Sequence, residues 1–306
     1  MLKNYENVIT VNSSNFFIMV SDLKQEFEEN GYVVIKNVIP KSKLNELLKH
    51  IYNLYVKFSE KKNLSELNEP WNSDEFHKQL IELRKSSPEK FGAIFDSLKT
   101  SLILTQLVSN EKLVGYVSDL LGANPNELSE SEKVVRLDPP LDERSTLEWH
   151  QERSYFPQNR SGLHGLVASM PVINAPIELG PLDICPKSHQ VGQLKVSNKE
   201  KNDLMTATQF VVPDEMTSKY EVKSMPLNAG DVIIFNFLLF HRSGRNISNK
   251  VRMTAVGRFH ISTADDFLPF DLSHHYNSYV KNEILEKKYD CSDIPNNKRQ
   301  SPVVLN

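Results

Sequence analysis

Cysteine is scarce in this 306-residue chain, which has only Cys185 and Cys291. Two thiols cannot build a disulfide framework or a four-ligand structural zinc site, and they favour a reducing compartment. They read most simply as two unrelated residues. Charge of one sign is lacking too: 36 basic and 39 acidic residues leave a net charge of -3. No basic block restores the electrostatic footprint of a nucleic-acid binder. Long hydrophobic runs are missing, since the longest, Val232 to Phe240 with Asn236 inside it, is about half of what a membrane span needs. The apolar run Phe16 to Val20 follows Asn and Ser, without a basic segment or a small-residue cleavage site, so it does not read as a signal peptide. There is no internal repeat and no low-complexity tract. These absences predict a cytoplasmic globular protein without membrane or polynucleotide partners, and they carry no signal about oligomeric state.

What is present is a change of periodicity along the chain. Leu44, Leu47, Leu48, Ile51, Leu54 and Tyr55 recur at helical spacing behind Pro40 and Ser42, and Leu113, Val114, Val117, Leu120 and Leu121 do so before Gly122. Weaker stripes predict helices over Trp71 to Lys85 and Phe91 to Leu107. Tyr32 to Ile35, after Asn30-Gly31, reads as an edge strand. From Lys133 the chain turns strand-rich, with runs at Val134–Leu137, Leu166–Met170, Leu182–Cys185, Tyr220–Val222, Val232–Phe240 and Val251–Ile261. Short strands between Gly, Pro, Asn and Asp turns predict a mainly β fold with flanking helices, a sandwich or jelly roll. The expected organisation is a single domain over 1–306: a helix-rich segment 1–130 packs on a jelly-roll core 131–262, and a polar tail of surface helix or coil covers 263–306.

Trp149-His150-Gln151-Glu152 contains a His-x-Glu pair, and residues two apart on a strand share a face, so the imidazole and carboxylate could grip one ion. Roughly one such pair is expected by chance in a chain of this composition, so alone it says little. The second element is Val232 to Phe240, apolar on both faces and running into His241. A buried imidazole needs partners, and a satisfied core histidine is the plainer alternative. Beyond it, Arg242 to Lys250 is dense in turn formers and precedes a β run from Val251. Read as a hairpin, this places Arg252 roughly opposite His241, with Ser243 a step into the loop. Two histidines and a carboxylate with open positions form the ligand set of non-haem iron(II) oxygenases. Arg252 fits as the anchor for the far carboxylate of a 2-oxoglutarate cosubstrate, because its planar fork binds carboxylates in bidentate fashion.

On these residues the sequence resembles the phytanoyl-CoA dioxygenase family of iron(II)- and 2-oxoglutarate-dependent oxygenases, from about Phe27 to Phe259. Phe27-Glu28-Glu29-Asn30-Gly31-Tyr32-Val33-Val34-Ile35 is similar to the family's opening strand and its helical lead-in, and Trp149 to Glu152 to its proximal ligand motif. Gly180-Pro181-Leu182-Asp183-Ile184-Cys185-Pro186-Lys187-Ser188-His189 is similar to its central segment. Gly230-Asp231-Val232 through His241, with Ser243, Asn246, Ser248 and Arg252, is similar to its distal histidine segment. The resemblance implies a double-stranded β-helix of jelly-roll, cupin-like type, with Fe(II) on His150, Glu152 and His241 and O2 as oxidant. It implies 2-oxoglutarate held by Arg252, with Ser243 assisting and Gln151 a weaker contact. Glu152 stands where the family usually has Asp, one methylene shorter, and Lys187 where it usually has Gly. A retained carboxylate argues against the related halogenases, which lose it.

The expected activity is dioxygenase hydroxylation of an unactivated C–H bond. Arg153, Tyr155 and Arg258 are candidate substrate contacts, Arg153 foremost because it adjoins the metal motif. Arg160, His164 and His260 are weaker ones, with Arg160 and His260 more simply placed in solvent beyond the barrel rim. A lining of this kind suits a small polar metabolite, anionic ones included. Two rivals are a cupin-like isomerase using the metal without cosubstrate and a non-catalytic jelly-roll ligand-binding protein; both leave Arg252 unexplained.

Overall fold

A computed structural model of the chain describes residues 13–59, 67–143, 146–156, 158–194, 197–199 and 209–267. The first third is helical: α1 (Ser13–Asn30), α2 (Lys41–Ser59), α3 (Asp74–Ser86), α4 (Pro88–Lys99), α5 (Leu102–Val108) and α6 (Glu111–Leu121), with β1 (Tyr32–Ile35) after α1. Side chains set the starts. The Ser73 hydroxyl accepts from the Phe76 amide at α3, and the Asn110 side-chain Oδ1 accepts from the Lys112 and Leu113 amides at α6, satisfying orphan donors of the first turns. The helix expected from Phe91 to Leu107 is two, because the chain turns at Thr100 and Ser101 then caps α5 by accepting from the Leu104 amide.

The strands follow: β2 (Leu128–Asp138), β3 (Gly165–Pro171), β4 (Leu182–Ile184), β5 (Ser197–Lys199), β6 (Gln209–Val211), β7 (Lys223–Ser224), β8 (Val232–Asn236), β9 (His241–Ser243) and β10 (Arg252–Ile261), with a short α7 (Asp214–Thr217) after β6. They form a five-stranded antiparallel sheet in the order β1-β8-β3-β10-β2, a facing three-stranded sheet β7-β4-β9, and a β5-β6 pair. This is a jelly roll with helices packed outside. The expected Tyr220–Val222 strand lies slightly later, at β7, and residues 268–306 of the expected polar tail fall outside the described residues.

Alternation along the larger sheet sorts its side chains into two cores. Val33, Ile35, Val135, Ala168, Ile234 and Ala255 face the helices and pack with Leu47, Ile51, Leu80, Ile94 and Val117. Tyr32, Val134, Val167, Ile233, Phe235 and Val256 face the smaller sheet. Both faces of β8 are therefore buried, which is why its sequence shows no polar alternation.

Two expectations about the route to His241 need correction. The apolar run Val232–Phe240 is not one strand: β8 ends at Asn236, whose side-chain oxygen accepts from the Leu238 amide while its carbonyl accepts from the Leu239 amide. This Asx turn carries the chain from the larger sheet to the smaller one. Nor do β9 and β10 form a hairpin. β9 pairs with β4 and β10 with β2 and β3, so His241 and Arg252 stand on facing sheets. Arg252 lies opposite Asp138.

Candidate metal centre

His150 sits on an extended segment that makes an isolated bridge with His241, each amide donating to the other's carbonyl at 3.0 and 3.1 Å. The chain then tightens into a 3-10 turn, Glu152–Ser154, so Glu152 is the first residue of a turn rather than a strand neighbour of His150. All three side chains are buried. Among the described residues, His150, Glu152 and His241 bring ligand atoms within 4.8 Å of one another.

Hydrogen bonds fix what each side chain presents. The His150 Nδ1 lies 2.6 Å from the Glu148 carbonyl, and the His241 Nδ1 2.9 Å from the Leu239 carbonyl. A carbonyl only accepts, so each Nδ1 carries the proton and donates, leaving a bare Nε2. Those Nε2 atoms lie 3.7 and 3.1 Å from Glu152 Oε2. Two imidazole lone pairs and a carboxylate oxygen thus converge, an arrangement that a shared cation satisfies. The donor set of two imidazoles and one carboxylate fits iron(II). Burial pushes the His150 imidazole below its ordinary range, aided by His241, which keeps it in the metal-binding neutral form. Burial alone would raise the Glu152 carboxyl, but the Arg258 guanidinium and both imidazoles outweigh it and hold it well below the carboxylate range.

The triad opens into a cavity of about 80 Å³ between the two sheets. Arg252, Thr254, Val256 and Arg258, every second residue of β10, line one wall with Ser169 beside them on the neighbouring β3, and Ser243 faces them from β9 on the other sheet. Arg252 donates through Nε and Nη2 to Asp138 Oδ2, at 3.1 and 2.7 Å, and through Nη1 to the Gly244 carbonyl. Gly244 packs tightly on the Gly180–Pro181 backbone, where a Cβ would lie 2.1 Å from the Pro181 carbonyl oxygen. Asp138 also receives Arg136. Burial raises its carboxyl, yet the two guanidiniums prevail and lower it. Ser243 Oγ accepts from the Leu147 amide and from Arg136.

The remaining sequence candidates separate. Gln151 is fully buried away from the cavity, its amide donating to the Gly192 and Leu238 carbonyls and accepting from the Leu194 amide. Arg153 is also turned into the fold, its guanidinium donating to the Arg160 carbonyl, because the 3-10 turn sends it away from Glu152. Tyr155 sets its ring edge against His150, with centroids 5.5 Å apart, while its hydroxyl accepts from the Phe210 amide. Arg258 faces the cavity and bonds Glu152. His164 pairs with Asp266. His260 is not in solvent but fully buried, between Asn159 and Ser131. Arg136 and Asp138 were missed, although Arg-x-Asp at the end of a predicted strand placed both on one face.

Fold and site together define a jelly roll with a buried two-histidine, one-carboxylate metal cluster. A family model, Phytanoyl-CoA dioxygenase (PhyH), matches residues 27–254, and the chain belongs to this family of iron- and 2-oxoglutarate-dependent oxygenases. The epimerase SnoN, solved with Fe3+, alpha ketoglutarate and nogalamycin RO, is 18% identical, with TM-score 0.55 over 80% of this chain and 85% of that one. EvdO2 from Micromonospora carbonacea var. aurantiaca, complexed with 2-oxoglutarate, is 20% identical, with TM-score 0.54 over 81% and 94%. EctD from S. alaskensis, with 2-oxoglutarate and 5-hydroxyectoine, is 17% identical, with TM-score 0.50 over 84% and 79%. No curated protein sequence matches the chain. No helix of the described residues is long and apolar enough to cross a membrane.

Proposed function

We propose that this oxygenase hydroxylates an unactivated C–H bond of a small polar metabolite, anionic ones included, with iron(II) on His150, Glu152 and His241. The observation that carries the reading is the convergence of two bare imidazole nitrogens and Glu152 Oε2 beside a cavity floored by Arg252. When bound, iron and 2-oxoglutarate supply the oxidising power: oxygen is consumed, the keto acid leaves as succinate and carbon dioxide, and one oxygen atom enters the substrate.

The chain's own part is positioning and charge. Arg252 keeps its guanidinium ready for the distal carboxylate of the cosubstrate because Asp138 and the Gly244 carbonyl fix its plane. Ser243 stands beside it. Gln151, committed to three backbone groups, is left out of this assignment. Around the cavity, Arg136, Arg252 and Arg258 face the carboxylates of Asp138 and Glu152, an excess of positive charge that favours polar anionic ligands over a bare lipid. The buried Nη1 of Arg258 has no hydrogen-bond partner among the described residues and is the donor offered to such a substrate. Tyr155 shields the open side of His150.

The test is anaerobic addition of iron(II) and then 2-oxoglutarate, followed by succinate release against a panel of polar and anionic metabolites. A visible charge-transfer band and substrate-dependent succinate are expected. No band and no succinate would sink the reading.

A further inference from the structure

We infer that Arg258 is a positioning residue that makes Glu152 a one-oxygen ligand, and so lets a glutamate serve where one methylene less is usual. The inference rests on the metal assignment above. It starts from a division of labour within one carboxylate. Oε2 is the oxygen that faces the two Nε2 atoms, at 3.1 and 3.7 Å, whereas Oε1 is held by the Arg258 Nε–H.

Arg258 cannot easily release that oxygen. Its side chain is only 13% exposed, rises from the floor strand β10 and lays its guanidinium over the Phe156 ring, 4.3 Å from the centroid. Phe156 belongs to the turn that Glu152 begins, and its amide donates to the Glu152 carbonyl at 3.0 Å. Ligand, guanidinium and aromatic platform therefore form a closed loop: Glu152 holds Phe156 through the backbone, Phe156 carries Arg258, and Arg258 holds Glu152.

The chemistry needs this restraint. In a six-position site, two imidazoles and one carboxylate oxygen leave three positions, two for a chelating keto acid and one for oxygen. Glutamate has one more rotatable bond than aspartate, so unrestrained it can turn both oxygens to the ion and remove a position. A hydrogen bond that claims Oε1 blocks that rotation. It also fixes the direction of Oε2, the kind of outer contact whose loss typically weakens metal binding 10–100-fold.

The test uses cobalt(II), whose visible spectrum reports its ligand set, with full-length protein and no cosubstrate. Arg258→Gln is expected to bind cobalt(II) about 10–100-fold more weakly and, at saturation, to show visible bands shifted from those of the parent, because a second carboxylate oxygen replaces a bound water. Arg258→Lys, with a single-point donor, should fall between, and is the variant read if the Gln form fails to fold. Adding Arg258→Gln to Glu152→Asp should change little further, because the shorter side chain cannot span both the imidazoles and Arg258. A merely structural role would lower melting temperature while leaving the saturated spectrum unchanged. Unchanged affinity and spectrum in Arg258→Lys and Arg258→Gln would overturn the inference. Failure of the unaltered protein to bind cobalt(II) would instead overturn the metal assignment itself.

Discussion

Asp138→Asn tests the charge cluster beneath the cavity without changing its shape. Asp138 Oδ2 receives Arg252 Nη2 at 2.7 Å, Arg252 Nε at 3.1 Å and Arg136 Nε at 3.2 Å, and Oδ1 receives Arg136 Nη2 at 3.0 Å. The side chains of Asp138 and Arg252 are each only 7% exposed, so water screens this pair little. Removing one partner of a buried pair costs about 3–5 kcal/mol. Asparagine keeps one oxygen for one guanidinium but turns an NH2 on the other, so the cost sits near the lower end, about 3 kcal/mol. At roughly 2–4 °C per kcal/mol for chains approaching this size, the metal-free melting temperature should fall by about 6–12 °C. Two unneutralised guanidiniums then welcome a dicarboxylate, so 2-oxoglutarate should raise the melting temperature of the variant more than that of the parent. Differential scanning fluorimetry with and without 2-oxoglutarate measures both. A variant melting within about 2 °C of the parent, with no greater response to 2-oxoglutarate, would refute the argument that this cluster is dry and mutually dependent.

His241→Ala should abolish cobalt(II) or iron(II) binding, whereas Arg252→Ala should keep the metal and raise the 2-oxoglutarate concentration needed, measured by equilibrium dialysis and by titration; equal retention of both functions contradicts the two roles. Lys187 adopts φ 68°, the left-handed region where a side chain costs about 1–2 kcal/mol, while its ammonium pairs with Glu29 in solvent. Lys187→Gly should therefore stabilise by about 0.5–1 kcal/mol after the extra chain entropy of glycine, seen as a higher urea midpoint. His260 is pushed down to about 3, by burial first and then Arg258, and His77 to about 4, by burial first and then Lys250. Both folded values lie below the unfolded one, so the unfolded state binds these protons first. Stability is full above about pH 6.5 and falls as pH drops towards 4 and then 3, by up to about 1.4 kcal/mol per pH unit for each residue. Urea midpoints from pH 7 to 4 check this, and His260→Gln should flatten the slope.

The parts of the fold that could be read early were those set by local alternation. Arg252 and Arg258 share parity on β10, and the strand keeps both in the cavity wall. The hairpin failed because turn formers after His241 predict a local partner, whereas β9 is three residues long and finds β4, some 57 positions earlier. The break in Val232–Phe240 had a signal, the single Asn236, which breaks the strand by bonding its own backbone. Arg153 failed for the converse reason: nearness in sequence to Glu152 means little inside a 3-10 turn, where successive side chains diverge. The partnership of Asp138 with Arg252 joins residues 114 apart and needs the register of two long strands. Lys187 keeps the left-handed geometry expected of the glycine it replaces, so the departure leaves the turn intact.

The bridge between His150 and His241 makes two ligands behave as one chelator. Because each amide donates to the other's carbonyl, their backbones hold the spacing of a hydrogen-bonded strand pair, and the rings lie 4.1 Å apart between centroids. The bite of that chelator is set when the sheet forms, so the entropy of gathering both imidazoles is lost during folding rather than at the arrival of the ion. A mutation that slips β9 by one residue would accordingly do more than misplace one ligand. It would reverse the face of His241 and open the chelate at once.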